Sequence, residues 1–437
     1  MNYDANLRSV SALPAPPGAR ETYSKVTWRI LPLLLLCYFS AYFDRVNVGF
    51  AKLQMLGDLR FSETAYGFGA GVFFVGYALF QMPSNIILYR LGARLWIGCI
   101  LVVWGFISAG MVLVHTEPTF YALRFLLGVA EAGFFPGVIL YLTYWYPSVR
   151  RGRMTTIFMA GIPVSGIIGG PLSGWILQNL AGVHGLAGWQ WMFLLEGLPS
   201  IVLGVIVILF LRDGIQDAPW LSGDEKALLQ AELDADAPPA ATASLGSMFA
   251  NALVWLAAAV YLTLVMGLYG ISFWLPTLIR EAGIRSPLDI GLLSVIPYAV
   301  TIVGMVLFAY SADRRRERRW HVAIPLLLGA GGLVVSTLFG RDIPIALAAL
   351  SVATLGIIAA QPLFWSLPTA FLGGVAAAAG IALINAVGNI AGFISPYLVG
   401  WLTDLTSSTD SGMFVLAGVL VVGAALTLCF PRELVNK

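Results

Sequence analysis

Residues 212–247 read RDGIQDAPWLSGDEKALLQAELDADAPPAATASLGS, the longest polar stretch in a chain that is otherwise apolar. The stretch is acidic at first, then rich in Ala, Pro and Ser. Inside it, WLSGDEKALLQAEL (220–233) predicts a short surface helix, with Ser222 as N-cap and Glu225 three residues on. On either side lie continuous apolar runs of about 20 residues, the length that crosses a bilayer as an α-helix. Six runs precede the stretch, at roughly 28–52, 66–88, 94–114, 119–146, 154–179 and 189–211. Six follow it, at roughly 250–278, 289–311, 321–339, 343–366, 374–402 and 412–430. The fold class this predicts is an all-α polytopic membrane protein, twelve transmembrane helices in two six-helix bundles. The expected units are a disordered cytoplasmic tail (1–26), a first bundle (27–211), a cytoplasmic linker (212–247), a second bundle (248–431) and a short cytoplasmic C-terminus (432–437).

Composition points the same way. Of 437 residues, 59% are hydrophobic and 11% charged, against roughly 25% charged in soluble domains. A soluble core of this size has no room for so much apolar surface, and mean hydropathy is +0.84. Transmembrane β-barrels show alternating segments of about 10 residues, whereas these runs are continuous and twice as long. The N-terminal SVSALPAPPGAR is polar and Pro-rich and reads as a tail, not as a signal peptide. Cys37, Cys99 and Cys429 lie in apolar runs without metal or disulfide spacing. His115, His184 and His321 fall at or beyond span ends, and no H-E-x-x-H occurs. No enzyme, metal or cofactor is expected, and a net charge of +2 gives no sign of a nucleic-acid partner.

Most of the 25 lysines and arginines fall on one side if both termini are cytoplasmic, among them Arg90, Arg94, Arg150, Arg151, Arg212 and Arg314 to Arg316. Lys52, Arg60, Arg280, Arg285 and Arg341 fall on the other. This bias predicts termini inside, in a cell (inner) membrane. LYRLGARLWIG (88–98) follows the second span, and AYSADRRRERRWHV (309–322) follows the eighth. Two Arg-rich loops at equivalent places predict that the halves are repeats of one six-helix plan.

Four charged residues lie deep inside spans. Asp44 and Arg45 are in LLLLCYFSAYFDRVNVGF (33–50), Arg124 and Glu131 in FYALRFLLGVAEAGFFPGVILYLTYW (120–145). Each charge near the bilayer centre costs at least ~2.5 to 3.5 kcal/mol on insertion scales, so such residues face a protein interior or a water-filled path. Asp44 falls roughly 21 Å from the inner end of a core about 30 Å thick, and Arg124 roughly 8 Å below the outer surface, at a similar depth. Seven residues is close to two turns, so Glu131 lies deeper on the face of Arg124, with Gly128 between them leaving that face open. On the first span Tyr38, Tyr42 and Arg45 form one stripe, expected to face a substrate cavity. Ser40, Asp44 and Asn47 form another, expected to face the fourth span with Asp44 beside Arg124.

These residues sit in segments that resemble a known family. SADRRRER (311–318), with Asp313 and Arg314, is similar to the cytoplasmic signature of the major facilitator superfamily, and the resemblance extends over essentially the whole chain. The first-half loop keeps Gly92 and Arg94 but has Tyr89 where the common pattern has Asp. YFDRVNVGFA (42–51), RFLLGVAEAGFFPG (124–137), WMFLLEGLPS (191–200), FWSLPTAFL (364–372) and GIALINAVGNIAGF (380–393) further resemble the anion:cation symporter family. That resemblance implies uptake of an organic anion with protons, and a site lined by Tyr42, Arg45, Tyr77, Ser366 and Asn389 or Asn385.

Charge balance supplies the expected mechanism. Two acids and two bases make a neutral site, and an arriving carboxylate would tip it negative in a poor dielectric. Protonating Glu131 or Asp44 restores neutrality and frees Arg45, whose planar guanidinium suits a carboxylate. Arg124 would hold the acids in place. The second half has no mid-membrane charge, so Trp274, Gln361, Trp365, Ser366, Thr369, Asn385 and Asn389 are its candidates for neutral contacts. Glu196 reads as structural, Asp313 with Arg314 as a cytoplasmic lock, and the glycines of GIPVSGIIGGPLSG (161–174) as packing positions. The expectation is proton-coupled uptake of a small carboxylate, a sugar acid, hydroxy-dicarboxylate or aromatic acid, by a protein acting as a monomer. The competing reading is an export antiporter of the same fold.

Overall fold

The computed structural model describes residues 18–159, 161–236, 251–372 and 374–436. Among them, twelve helices are long and apolar enough to cross a membrane. The first-half spans are Ala19–Leu59, Glu63–Leu91, Ala93–Leu113, Glu117–Thr143, Arg150–Asn179 and Gly188–Phe210. Those of the second half are Ala252–Glu281, Pro287–Arg315, Arg319–Leu338, Ile343–Phe371, Gly380–Thr406 and Asp410–Leu428. Several, the first, second and eighth among them, overshoot the apolar runs by a turn or more, because hydropathy marks the buried middle of a helix and capping marks its ends. Ser62, Thr116, Ser286 and Asp342, for example, each accept a backbone N–H at a span start.

Small residues let the halves approach. The second span packs on the eleventh, where Gly67 and Gly71 face the Pro396 and Phe393 backbone and Gly400 faces Glu63. The fifth packs on the eighth, with Gly170 against Gly291 and Gly174 against Pro287. Second pairs with eleventh as eighth pairs with fifth, so the two contacts are equivalent under exchange of the halves. Glycines four residues apart put bare backbone on one helix face, as in close-packed membrane dimers. Gly169 of the same span meets Phe43 of the first, so the glycine stripe serves packing on both sides.

Among the described residues, three spans are interrupted. The first is broken at Asn47, between helices Ala19–Val46 and Val48–Leu59. The fourth stops at Glu131 and resumes at Phe134, and the tenth stops at Trp365 and resumes at Pro368. Pro136 and Pro368 explain the last two: a proline lacks the N–H and collides with the carbonyl four residues back, here Ala132 and Phe364.

The linker helix, Gly223–Asp236, starts with the expected reciprocal cap: Glu225 N–H donates to Ser222 Oγ (3.2 Å), and Ser222 N–H to the Glu225 carboxylate (2.7 Å). It folds back on the first span, which corrects the expected tail. Residues 19–26 are helical, with Tyr23 and Val26 buried. Tyr23 donates to Glu232 (2.9 Å), Lys25 pairs with Glu225 (2.9 Å), and the Arg150 guanidinium lies 4.1 Å from the Tyr23 ring centre. A polar first turn holds its helix because the linker supplies partners for it. Residues 1–17 of that tail and 237–247 of the linker lie outside the described residues. At the other end Arg432–Val435 is helical and Val435 is buried.

Candidate functional site

Arg45 is the centre of the site, two residues before the break in the first span. One Nη donates to the Glu131 carboxylate of the fourth span, and the other to the Tyr269 hydroxyl of the seventh at 3.0 Å. Its guanidinium carbon lies 5.3 Å from the Phe73 ring centre and 5.4 Å from that of Tyr77, both on the second span. Arg45 therefore touches three helices besides its own, one of them in the other half. Its Nε is buried without a hydrogen-bond partner among the described residues. Glu131 is 2% exposed and is the last residue of its helix segment, so it sits at the break that Pro136 imposes.

Arg124 is fully buried against the second span instead. It donates to the carbonyls of Gly69 (3.3 Å) and Ala70 (3.2 Å), and its guanidinium lies 5.1 Å from the centre of the Phe73 ring. Phe73 thus serves both arginines, a desolvated cation–π arrangement worth about 2 kcal/mol for each. Gly128 does not leave this face open. It abuts the Phe73 backbone, and that close approach brings Arg124 within reach of the second-span carbonyls.

The expected Asp44–Arg124 neighbourhood is overturned. Asp44 accepts from Trp104 Nε1 (2.7 Å), Ser108 Oγ (3.0 Å) and Ser200 Oγ (2.8 Å), on the third and sixth spans. The depth match between Asp44 and Arg124 says nothing of azimuth: the first span packs against the fifth and sixth, while the fourth turns its arginine to the second. Ser40 of the same stripe bonds Ser200 at 2.7 Å. Glu196 accepts from Ser173 (2.8 Å) and is 1% exposed, inside the first half.

The Tyr/Arg stripe divides. Tyr42 reaches across the halves to Ser272 (3.4 Å), but Tyr38 stacks on Phe158 of the fifth span at 4.3 Å. In the second half Trp365 packs on Tyr261 (centroids 4.8 Å apart), and Gly388, between Asn385 and Asn389, abuts the same ring. Asn389 Nδ2 and Gln361 Nε2 are buried donors without a partner among the described residues. Ser366 and Thr369 bond carbonyls of the same span, Leu363 and Trp365, the latter across the break. Sequence reading missed Tyr269, Tyr261 and Phe73. The signal was available: Phe73 and Tyr77 are one turn apart, and Tyr261 and Tyr269 two turns apart, each pair on one helix face.

Trp274 is not at this site. Its ring centre lies 4.6 Å from Lys52 Nζ, and the Tyr66 ring centre 5.2 Å from it. Lys52, 1% exposed, pairs with Glu63 at 2.6 Å. Around it the halves are joined on the face opposite the termini. Arg280 donates to the Leu53 carbonyl (3.1 Å), Thr64 N–H to Asp404 (2.7 Å), and Ser286 Oγ to Gln178 (2.8 Å). On the face of the termini, Arg94 engages Asp213 of its own half (N–H to carboxylate 2.8 Å). Asp313 and Arg314 are exposed there, and Arg314 bonds only Tyr310 of its own helix among the described residues (3.5 Å). The expected lock between the halves is not formed in this structure.

A sequence profile of the Major Facilitator Superfamily matches residues 34–396. A Pseudomonas putida protein provisionally named metabolite transport protein NicT is 48% identical, over 96% of this chain and 97% of its own. An Agrobacterium vitis protein provisionally named a tartrate transporter is 46% identical over 94% and 91%. A quinolone resistance transporter of Acinetobacter baumannii is 40% identical over 93% and 94%. Among solved structures, a bacterial homologue of the human lysosomal transporter Spinster matches at a TM-score of 0.74, over 96% of this chain and 98% of its own, with 17% identity. Twelve membrane-spanning helices, six on each side of the linker, have the architecture of that superfamily, and the chain belongs to it.

Proposed function

We propose that the chain is a secondary active transporter that takes up a small organic anion together with a proton, by alternating access. The observation that carries this reading is that one guanidinium, Arg45, is shared between the Glu131 carboxylate and groups of both halves while its Nε is free. A substrate carboxylate and Glu131 compete for the same cation. When Glu131 takes a proton, the ion pair loses its anion and Arg45 turns to substrate at no change in the charge of the site. Tyr42, Tyr77, Trp365, Ser366, Asn385 and Asn389 supply the neutral contacts. Asp44, held by three neutral donors and by no cation among the described residues, is the second proton-carrying acid of the reading. Relatives provisionally named for tartrate and metabolite transport support the substrate class.

In this reading the face of the termini is cytoplasmic, in a cell (inner) membrane, as the Lys and Arg bias favours. The seal around Lys52 and Trp274 is then on the side away from the cytoplasm, and the site opens inward. Asp313, Arg314 and Arg94 lock the cytoplasmic side in the opposite state. Each six-plus-six unit is complete, so the monomer transports.

The test is uptake into liposomes under an imposed proton gradient. Glu131→Gln is expected to abolish gradient-driven accumulation while substrate exchange persists; accumulation at the wild-type level overturns the coupling. Export by antiport is the second reading, favoured by the quinolone resistance relative. Charge reversal at Arg45 separates the two: it abolishes carriage of a carboxylate and leaves that of a cationic drug.

A further inference from the structure

On the face of the termini, away from the central site, a groove of about 390 Å³ lies between the ends of the first, fourth and sixth spans and the start of the linker. Its walls are of two kinds. Arg29 and Arg212 line it as cations, and Trp145, Trp220, Ile30 and Phe210 line it as apolar surface. Trp145 and Trp220 stack with centroids 5.7 Å apart and planes 13° apart, which fixes the linker against the fourth span. The Arg29 guanidinium lies 6.0 Å from the Trp220 ring centre. Tyr141 donates to the Arg212 carbonyl (2.7 Å) and so holds the backbone where the sixth span ends.

Neither Arg29 nor Arg212 has a carboxylate partner among the described residues. The nearest acid in sequence, Asp213, is engaged by Arg94. Beside the groove the sixth span presents Leu209 and Phe210, 60% and 70% exposed, and Trp28 next to Arg29 is 77% exposed. Bare apolar side chains at a span end face acyl chains, and an exposed Trp at that level marks the headgroup zone. The groove therefore offers two uncompensated guanidinium groups at headgroup depth and an apolar wall running into the membrane, the complement of a phosphodiester with acyl tails.

We infer that this groove binds an anionic phospholipid of the leaflet on the face of the termini, its phosphate held between Arg29 and Arg212 and its glycerol and upper acyl segments against Trp220, Ile30 and Phe210. This rests on the membrane placement of the chain, not on what it transports.

The test is native mass spectrometry of the purified full chain titrated with phosphatidylglycerol or phosphatidylcholine. The wild type is expected to retain phosphatidylglycerol adducts at least fivefold over phosphatidylcholine. Arg29→Gln with Arg212→Gln is expected to erase that preference, while Arg29→Lys with Arg212→Lys keeps most of it. Arg315→Gln with Arg316→Gln, on another loop of the same face, serves as the control for general positive charge and should leave it intact. Undiminished preference in the Gln pair overturns the proposal, as does equal loss in the control pair. Displacement of the lipid by millimolar inorganic phosphate or glycerol phosphate also overturns it, in favour of a soluble phosphate ligand. Trp220→Leu, which removes the wall and leaves both charges, must weaken lipid retention without changing the unfolding temperature of delipidated protein by more than a few degrees; unaltered retention counts against the groove.

Discussion

The four charged side chains at mid-span in the first and fourth helices divide into an ion pair and two singles, and each has a different set of partners. Arg45 and Glu131 neutralise each other, Arg124 rests on carbonyls and Phe73, and Asp44 has neutral donors alone among the described residues. A side chain that accepts from three donors, one of them the Trp104 indole N–H that can only donate, leaves them without an acceptor when it is truncated. Asp44→Ala should cost about 1–3 kcal/mol of stability, the penalty for a buried group left unsatisfied, measured as a lower unfolding temperature in detergent. Glu196 differs, because it accepts from Ser173, has the neutral Asn47 beside it, and forms no ion pair with Arg45 among the described residues. Glu196→Gln keeps an acceptor for Ser173 and is expected to leave gradient-driven accumulation within about twofold of wild type. Loss of accumulation in that variant would put Glu196 in the coupling path.

Helix pairs decide where those side chains point. The second and fourth spans touch at Gly128, where a methyl group would meet the Phe73 carbonyl. Gly128→Ala should push the two helices apart, destabilise the protein by about 1–3 kcal/mol through overpacking, and lower substrate affinity, because Phe73 carries both arginines. Thermal unfolding with and without substrate checks both halves of that statement. Outside the membrane, the linker helix is tied to the first span through Glu225. Its hydrogen bond from Lys25, then that from the Ser222 N–H, hold its carboxyl below the usual carboxylate range. A group with a lowered folded value binds fewer protons folded than unfolded. Its contribution is therefore full above the ordinary value of about 4.3 and is lost as pH falls through the lowered one. Hydrogen-exchange protection of the first turn of Gly223–Asp236, corrected for intrinsic rates, should fall across that acidic window in the wild type and stay flat in Glu225→Gln.

The two halves are joined by polar contacts at mid-membrane and on the face opposite the termini, with none on the terminal face among the described residues. Arg280 to Leu53, Thr64 to Asp404 and Ser286 to Gln178 all cross there, and Lys52 lies on Trp274. Alternating access requires these contacts to part once per cycle. Cysteines at Gln178 and Ser286 are expected to cross-link readily in a background lacking Cys37, Cys99 and Cys429. The cross-link should abolish transport until a reductant restores it. Full transport in the cross-linked state would show that the seal does not open, and would sink the rocking of the halves.

Hydropathy is a local property, and so the twelve spans, the six-plus-six break and the linker cap were legible from residues 212–247 and their flanks alone. The presence of four costly charges was legible for the same reason, since each stands out against its own helix. The partners of those charges were not. A helix position gives depth, at 1.5 Å per residue, but azimuth has meaning only once a neighbour is named. Asp44 and Arg124 share a depth and face different helices, while Arg45 and Glu131 meet because a proline ends one helix beside the other. Lys52 reads as an ordinary polar residue at a span end, and only the packing of the first span on the seventh encloses it over Trp274. The chain's composition sets its solvent and its count of helices; the close approach of glycines across the halves sets which side chains share a site.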